Sequence, residues 1–270
     1  MGLDMTSFYS TSQMDNFYKA LSSATVKPSG VMNYIQHLFI AGRCYKNASV
    51  LDICCGRALM VPLLKTCAPH IARYVGLDIS LTNLSEALEV IRQGDGNPPS
   101  FPCNFILGDV TCLPISLTNR FDVVVYISAL EHLDRESGII SIKQIARTLA
   151  ENGTLYLSTP RTPREFPRKL QYKVHLYEWD RGEIEEVLND AELTLVECIG
   201  LLPPSDEILE QAIGARFGIP GVSWFREMRR MIPYTFLASV MASCFPEVAK
   251  ELLYVCERRE HHAVPGWNSG

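Results

Sequence analysis

This chain contains seven short apolar runs, and segments with helical patterning separate most of them. The runs are residues 50–53, 73–78, 104–107, 121–127, 154–158, 193–198 and 252–256. Residues 82–92 are typical of the separating segments, because their apolar side chains recur at helical spacing. Strands that alternate with helices are joined by right-handed crossovers and form a mostly parallel sheet with helices on both faces. The sequence therefore predicts an α/β fold.

Smaller units are expected on either side of this pattern. Residues 1–45 are predicted to form an N-terminal helical lid, and residues 201–250 a helical insertion or cap before the last strand. Residues 46–200 form the predicted ligand-binding core, which residues 251–258 complete with its last strand. Residues 259–270 are expected to be a flexible tail.

Composition argues against several classes of protein. The 270 residues carry a formal net charge of −5, which disfavours wholesale binding to nucleic acid or to an anionic membrane. Nine scattered cysteines without a Cys-x-x-Cys pair favour reduced thiols in a cytoplasmic protein, and no zinc site. The chain begins without signal-peptide features, and its loose match to a myristoylation pattern is interpreted as an ordinary start. Residues 234–245 are apolar but too short to span a bilayer.

Carboxylates follow the predicted strands where a parallel sheet binds ligands, at the carboxyl ends. Asp78 ends the second strand and is placed to accept hydrogen bonds from both ribose hydroxyls of a nucleoside. Asp109 could accept from an adenine amine, and the Val110 backbone N–H could bind a ring nitrogen. No Gly-x-Gly-x-x-Gly run is present to seat a pyrophosphate, which disfavours a dinucleotide. The alternative is that these acids only cap a helix or form turns.

Five segments, taken in order, resemble the class I S-adenosylmethionine-dependent methyltransferases. They are Val50-Leu51-Asp52 with Cys55-Gly56, Gly76-Leu77-Asp78, Gly108-Asp109-Val110 before Leu113-Pro114, Phe121-Asp122-Val123-Val124 before Leu130-Glu131-His132-Leu133, and Gly153-Thr154-Leu155. The resemblance covers about residues 45–200. It implies a Rossmann-like, seven-stranded sheet whose last strand is antiparallel. It also implies methyl transfer from S-adenosylmethionine, which leaves S-adenosylhomocysteine as the product.

The first loop departs from the pattern of the family, Asp-x-Gly-Cys-Gly-x-Gly. Cys54 stands at the first glycine position and Ala58 at the third, and both side chains are small enough for a backbone to approach a ligand. The residues expected to bind the cofactor are Asp52, Cys54, Gly56, Asp78, Ile79, Asp109, Val110 and Ile127.

The candidate catalytic residues are His175, His132 and Glu131. The methyl donor is already a strong electrophile, so a base is needed only if the acceptor atom holds a proton at neutral pH. Histidine titrates in that range. The alternatives are that His132 only packs or caps after the fourth strand, and that Glu131 positions the cofactor or a loop.

A metal-dependent alternative rests on a second resemblance. RNA-terminal 2′-O-methyltransferases, and similarly some quinone O-methyltransferases, bind a divalent cation with a Glu-x-x-Glu-His run; in the RNA enzymes a later histidine completes the site. Glu131, His132 and His175 match that set, but Ser128 replaces the first acid and is a poor ligand. No metal is expected, although one carboxylate and two imidazoles could bind one in principle.

The acceptor is predicted from two segments. A basic connection after the fifth strand suits either an anionic acceptor or a solvated loop, and its cations are Arg161, Arg164, Arg168, Lys169 and Lys173. Aromatic residues in the lid and the insertion, including Phe17, Tyr18 and Trp224, suit an apolar acceptor pocket or a packed core. The leading hypothesis is O- or N-methylation of a small organic acceptor such as a natural-product intermediate. The alternatives are RNA 2′-O-methylation and a partner subunit that binds a nucleoside without catalysis.

Overall fold

A computed structural model describes residues 28–93, 98–163 and 169–258 of the chain. The predictions for the first 27 residues, with Phe17 and Tyr18, and for the tail lie outside the described residues. Arg164 and Arg168 of the basic connection also lie outside them.

The described part of the chain contains seven α-helices, seven strands and two short 3-10 helices, Ile115–Leu117 and Leu130–His132. The helices are α1 (Pro28–Ala41), α2 (Met60–Cys67), α3 (Leu81–Gln93), α4 (Arg135–Ala146), α5 (Arg181–Asp190), α6 (Asp206–Met231) and α7 (Tyr234–Cys244). The strands are β1 (Ser49–Ile53), β2 (Arg73–Asp78), β3 (Cys103–Leu107), β4 (Phe121–Ile127), β5 (Leu149–Pro160), β6 (Leu193–Leu202) and β7 (Glu251–Arg258).

The strands form one sheet in the order β3-β2-β1-β4-β5-β7-β6. β7 runs antiparallel to both of its neighbours, β5 and β6, and the remaining pairings are parallel. This arrangement confirms the predicted Rossmann-like, seven-stranded, mostly parallel sheet. Strand order reverses between β1 and β4, so the ligand crevice of such a fold opens at their carboxyl ends.

Both faces of the central strands are buried. In β4 the odd and even positions pack into different cores, with Val124 and Tyr126 on one side and Val123 and Val125 on the other. A strand covered on both faces reads as a continuous apolar run, which is why β4 was recognisable from sequence. The sheet is therefore a rigid support for whatever lies beyond its strand ends.

α1 and α7 pack against each other and against β6. α1 also packs against α2. α6 and α7 share a small core of their own, which includes Leu209, Phe225 and Phe245. α6 is interrupted at Gly218, whose φ of +66° only glycine adopts readily, and Pro220 follows. None of the described helices is both long and apolar enough to cross a lipid bilayer.

Among the differences from the predicted element bounds, one concerns the start of β5, which is Leu149 rather than Thr154. The pattern predicts that Asn152-Gly153 ends a helix, but α4 ends at Ala146, and these residues lie inside β5 at a register shift against β4. Asn152 has a φ of +61°. A β-carbon on Gly153 would lie 2.8 Å from the Phe121 carbonyl oxygen. Asparagine and glycine tolerate such backbone in a bulge as well as in a helix cap, so the sequence alone does not distinguish the two.

Candidate active site

The site residues predicted from sequence gather along one edge of the sheet. Asp52 lies in β1, and Cys54 and Gly56 lie in the loop that follows it. Asp78 ends β2, and Ile127 ends β4. The others follow a strand end directly or lie in the connection after β5; they are Ile79, Asp109, Val110, Glu131, His132 and His175.

The first loop holds three residues in the left-handed backbone region. φ is +56° at Cys54, +53° at Gly56 and +56° at Ala58. The first and third are the positions where the methyltransferase pattern has glycine. The loop therefore keeps a backbone conformation typical of glycine, although two glycines of the family pattern are absent. Cys54 and Ala58, which replace them, carry a steric cost of roughly 1 kcal/mol each.

We expect substitutions at Ala58 to report this backbone strain. Ala58→Gly should change the free energy of unfolding by less than about 1 kcal/mol, because relief of strain offsets the lost methyl group and the added chain entropy. Ala58→Val should lower it by about 2–4 kcal/mol, because a branched side chain is both strained and overpacked at this buried position. Urea unfolding of the three proteins measures both changes. A glycine variant destabilised as much as the valine variant would contradict the left-handed assignment.

Asp78 joins the first loop to the end of β2. Its Oδ2 accepts a hydrogen bond from the Gly56 N–H at 2.8 Å, and its Oδ1 accepts from the Ser80 N–H at 2.8 Å and from Asn83 Nδ2 at 3.3 Å. A carboxylate has about four acceptor positions, so one is left for a ligand hydroxyl. Asp78 thus shapes the loop as well as facing the crevice.

A cavity of about 240 Å³ lies between the first loop, the end of β4 and α1. Four of the residues predicted to bind the cofactor, Asp52, Cys54, Gly56 and Ile127, line it together with Ser128, Arg57 and Leu59. Asp52 accepts a hydrogen bond from the Tyr74 hydroxyl at 2.7 Å. Burial raises the pKa of Asp52 to about 7, although that hydrogen bond opposes the rise.

Two further cavity residues, Asn33 and His37, were missed from the sequence. Both lie on α1, where His37 Nδ1 contacts the Asn33 carbonyl oxygen at 2.6 Å. Burial lowers the pKa of His37, which favours a neutral imidazole. Helical periodicity marks α1 as a helix but does not show which of its faces meets the first loop, so no sequence signal pointed to these residues.

The crevice beyond Asp78 is more open. Asp109 is exposed, and its Oδ1 accepts from the Thr111 N–H and hydroxyl, both at 2.8 Å. Its Oδ2 and the Val110 N–H have no hydrogen bond to any described residue. Ile79 is 73% exposed, which is unusual for a side chain of this size at the end of a buried strand.

A second group of polar residues is centred on His175. Its Nδ1 lies 2.5 Å from Oε1 of Glu178, a fully buried carboxylate. Glu178 also accepts from the Thr162 hydroxyl at 2.5 Å and from the Gln171 N–H at 2.6 Å. These contacts fix the imidazole so that Nε2 is the nitrogen left for a ligand or a proton.

Glu131 and His132 lie beside this histidine. One potential ligand atom from each of Glu131, His132 and His175 lies within 4.8 Å of the other two. The two imidazole rings meet edge to face at 5.2 Å. Burial raises the pKa of Glu131 to about 7, against the hydrogen bond that it accepts from the Thr159 hydroxyl at 3.1 Å. The structure thus brings together the three residues of the metal-dependent alternative.

Glu251 is a carboxylate that the sequence did not indicate. It is the first residue of β7, is buried, and accepts a hydrogen bond from the Ser128 hydroxyl at 3.0 Å. Burial, and next the charge of Glu131, raise the pKa of Glu251 to about 7. Ser128 stands where the metal-binding run has its first acid, and a carboxylate from 123 residues further along the chain lies beside it. Glu251 lies beside Ser128 because β7 pairs with β5, which local sequence patterns do not show.

Comparison with known proteins identifies the family. A sequence profile described as "Methyltransferase domain" matches residues 34–198. No curated protein matches the sequence significantly.

Solved structures share the fold. N-methyltransferase NodS from Bradyrhizobium japonicum, in complex with S-adenosylhomocysteine, has a TM-score of 0.52 and 14% identity over 84% of this chain and 86% of that chain. A putative methyltransferase from Haloferax volcanii, in complex with the Trm112 activator, has a TM-score of 0.56 and 18% identity over 88% and 96%. The small RNA methyltransferase HEN1 has a TM-score of 0.57 and 16% identity over 88% of this chain but only 26% of its own.

The profile spans more than half of the chain, and it contains the first loop, the strand-end acids and Glu131-His132. The strand order and the antiparallel β7 agree with those expected of such a domain. The chain therefore belongs to the methyltransferase-domain family and is a class I S-adenosylmethionine-dependent methyltransferase.

Proposed function

We propose that this enzyme methylates an oxygen or a nitrogen of a small organic acceptor, such as a natural-product intermediate. The observation that carries the proposal is His175, an imidazole held by the buried carboxylate of Glu178 at the ligand-binding edge of the sheet. A base in this position serves an acceptor atom that holds a proton at neutral pH, as hydroxyl and ammonium groups do. α1 covers the neighbouring cavity, which favours a small acceptor over a large one.

The cofactor is proposed to lie across the ends of β1, β2 and β3. Asp78 would accept from a ribose hydroxyl at its remaining acceptor position, and the open Oδ2 of Asp109 and the Val110 N–H would recognise adenine. The exposed Ile79 would cover the face of the adenine ring. The cavity with Asp52, Cys54, Gly56 and Ile127 would take the amino-acid end. Bound in this way, S-adenosylmethionine supplies an electrophilic methyl group.

The protein contributes alignment, exclusion of water and a place for the proton. His175 would take the acceptor proton on Nε2, and Glu178 would stabilise the imidazolium through Nδ1. His132 packs against His175, and its Nδ1 lies 3.3 Å from the Val174 carbonyl oxygen, which suits a positioning role. Glu131 is proposed to orient the loop, because its backbone carbonyl accepts from the Leu176 N–H at 2.9 Å.

Release of S-adenosylhomocysteine tests the proposal directly. The purified enzyme is incubated with S-adenosylmethionine and a panel of phenols, aliphatic alcohols and amines, and the methylated atom of any product is assigned by mass spectrometry. Turnover of at least one panel member at oxygen or nitrogen is the expected result. Turnover confined to carbon acceptors would contradict it. The nine free cysteines support a reducing, cytoplasmic location, so the assay is run with reductant.

A second candidate is metal-assisted 2′-O-methylation of RNA. The gathering of Glu131, His132 and His175 within 4.8 Å favours it. The donor set of one carboxylate and two imidazoles suits Mn²⁺ or Fe²⁺ better than Ca²⁺, and the bond from His175 to Glu178 is the carboxylate–histidine support that metal sites commonly have. A metal held there would lower the pKa of an acceptor hydroxyl as a Lewis acid.

Chelation separates the two candidates. If the site holds a metal, EDTA should abolish methylation of an RNA 3′ end and Mn²⁺ should restore it. Calorimetry should then show Mn²⁺ binding that Glu131→Gln weakens by about tenfold or more. Glu136→Gln on α4 is the matched control and should leave Mn²⁺ affinity unchanged. Full activity in EDTA, with no heat of Mn²⁺ binding, would leave the metal-free proposal standing and remove this one.

A further inference from the structure

Three cations line one cavity at the ligand-binding edge of the sheet. The cavity has a volume of about 480 Å³ and lies beyond the end of β5, where Arg161, Lys169 and Lys250 surround it with Gln171, Tyr172 and Leu202. No acidic residue is among the described residues that line it. Within the described ranges, none of the three cations forms an ion pair or a side-chain hydrogen bond. Three like charges around one cavity, with no counterion among the described residues, favour an anionic ligand.

The floor of this cavity is built from main chain that is fixed in place. The Arg161 N–H donates to the Lys250 carbonyl at 2.8 Å, and the Lys250 N–H donates to the Leu202 carbonyl at 2.8 Å. These bonds extend the ladder of β5, β7 and β6 by one step. Gln171 Nε2 then donates to the carbonyls of Arg161 and Lys250, at 3.1 and 3.3 Å. Arg161 and Lys250 are thus anchored side by side although they are far apart in sequence.

One wall of the cavity is shared with the candidate base. The Gln171 N–H and His175 Nδ1 both bond to Oε1 of Glu178, at 2.6 and 2.5 Å. The Tyr172 ring lies 5.1 Å from the His175 ring. An acceptor whose reacting atom lies at His175 would therefore have a substituent within reach of Arg161, Lys169 and Lys250.

We propose that this cavity binds a phosphate group carried by the small acceptor. The proposal rests on the proposed function, because it specifies the acceptor of the same site. Three positive charges match the two negative charges of a phosphate monoester better than the single charge of a carboxylate. The planar guanidinium of Arg161 supplies paired donors to phosphate oxygens, and the lysines supply point charges. The enzyme then selects phosphorylated acceptors, and removal of the phosphate lowers acceptor affinity.

The test measures anion binding apart from methyl transfer. Calorimetry is run on the full-length protein saturated with S-adenosylhomocysteine, with inorganic phosphate as the probe, and is repeated with acetate and with a short RNA oligonucleotide. Phosphate should bind, and Lys250→Gln and Arg161→Gln should each weaken it by about tenfold or more. Lys46→Gln changes an exposed lysine at the opposite edge of the sheet and should have no effect. All variants should keep the affinity for S-adenosylhomocysteine.

Each of the other outcomes overturns one defined part of the proposal. Phosphate binding that is absent, or unchanged in both cavity variants, would overturn the site while leaving methyltransferase function intact. Acetate binding as tight as phosphate would overturn the assignment to phosphate and indicate a carboxylate acceptor. RNA binding that is far tighter than phosphate and lost in Lys250→Gln would overturn the small acceptor. Failure of the wild-type protein to bind S-adenosylhomocysteine would count against the proposed cofactor site rather than this cavity.

Discussion

Replacing Asp78 by alanine is expected to weaken S-adenosylmethionine binding by about 10- to 100-fold, since the charge-assisted hydrogen bond to a ribose hydroxyl, worth about 1.5–3 kcal/mol, is lost. The same change removes the acceptor of the Gly56 N–H, so the first loop loses its link to β2. Calorimetric titration with S-adenosylmethionine measures the dissociation constant. Both changes weaken the binding of the same ligand. The loss of affinity should therefore exceed that caused by replacing any other single acid at this edge of the sheet.

Asp122→Asn is the matched control for Asp78. Oδ2 of Asp122 also accepts from a backbone N–H, that of Ser49 at 2.7 Å, but it does so at the amino-terminal edge of the sheet. The control should lower the free energy of unfolding without changing cofactor affinity. A normal dissociation constant for Asp78→Ala would show that the cofactor is bound elsewhere. Equal losses in Asp78→Ala and Asp122→Asn would point to general destabilisation instead.

His175→Ala is expected to lower kcat by about 10²- to 10⁴-fold, the range that a positioned general base contributes. Affinity for S-adenosylhomocysteine should stay unchanged, because His175 lies on the acceptor side and does not line the cofactor cavity. Steady-state kinetics with an acceptor from the panel, together with calorimetry of the product, separates the two quantities. His70→Ala, which alters an exposed histidine between α2 and β2, should leave both unchanged.

Another histidine of the protein, His37, is an alternative candidate for the base. His37 lines the cavity beside Ser128, and burial lowers its pKa, so it is a further imidazole able to take a proton. Unchanged turnover in His175→Ala, combined with a large loss in His37→Ala, would move the base to α1. If the loss of turnover in His175→Ala is accompanied by a loss of bound Mn²⁺, His175 would be assigned to metal binding rather than to proton transfer.

Much of the cofactor edge was predictable because the geometry of a parallel sheet is general. Asp52 is the last but one residue of β1, Asp78 ends β2 and Asp109 follows β3, and parallel strands finish at one edge. Any residue next to a strand end therefore lies near the others without further information. The same reasoning placed Glu131 after β4, since the apolar run of β4 shows where that strand stops.

The acceptor side was only partly predictable. His175 and Glu178 lie in an irregular connection, where periodicity gives no orientation, and their contact at 2.5 Å depends on local backbone. The left-handed backbone at Cys54 and Ala58 was also not evident, because these residue types usually occupy ordinary regions. Pattern reasoning found His175, Cys54 and Ala58 without finding their geometry.

The order of apolar runs and strand-end acids was enough to predict the α/β core and the family, and it also indicates the candidate nucleoside-binding edge, because these depend on local periodicity and on strand direction. Folding in three dimensions decided which distant residues meet. Glu251 lies beside Ser128, and Lys250 beside Arg161, only because β7 enters the sheet antiparallel to β5. α1 brings His37 to the first loop through packing that no short sequence pattern encodes. Contacts between residues that are distant in sequence arise from the burial of whole faces, so they are properties of the assembled core.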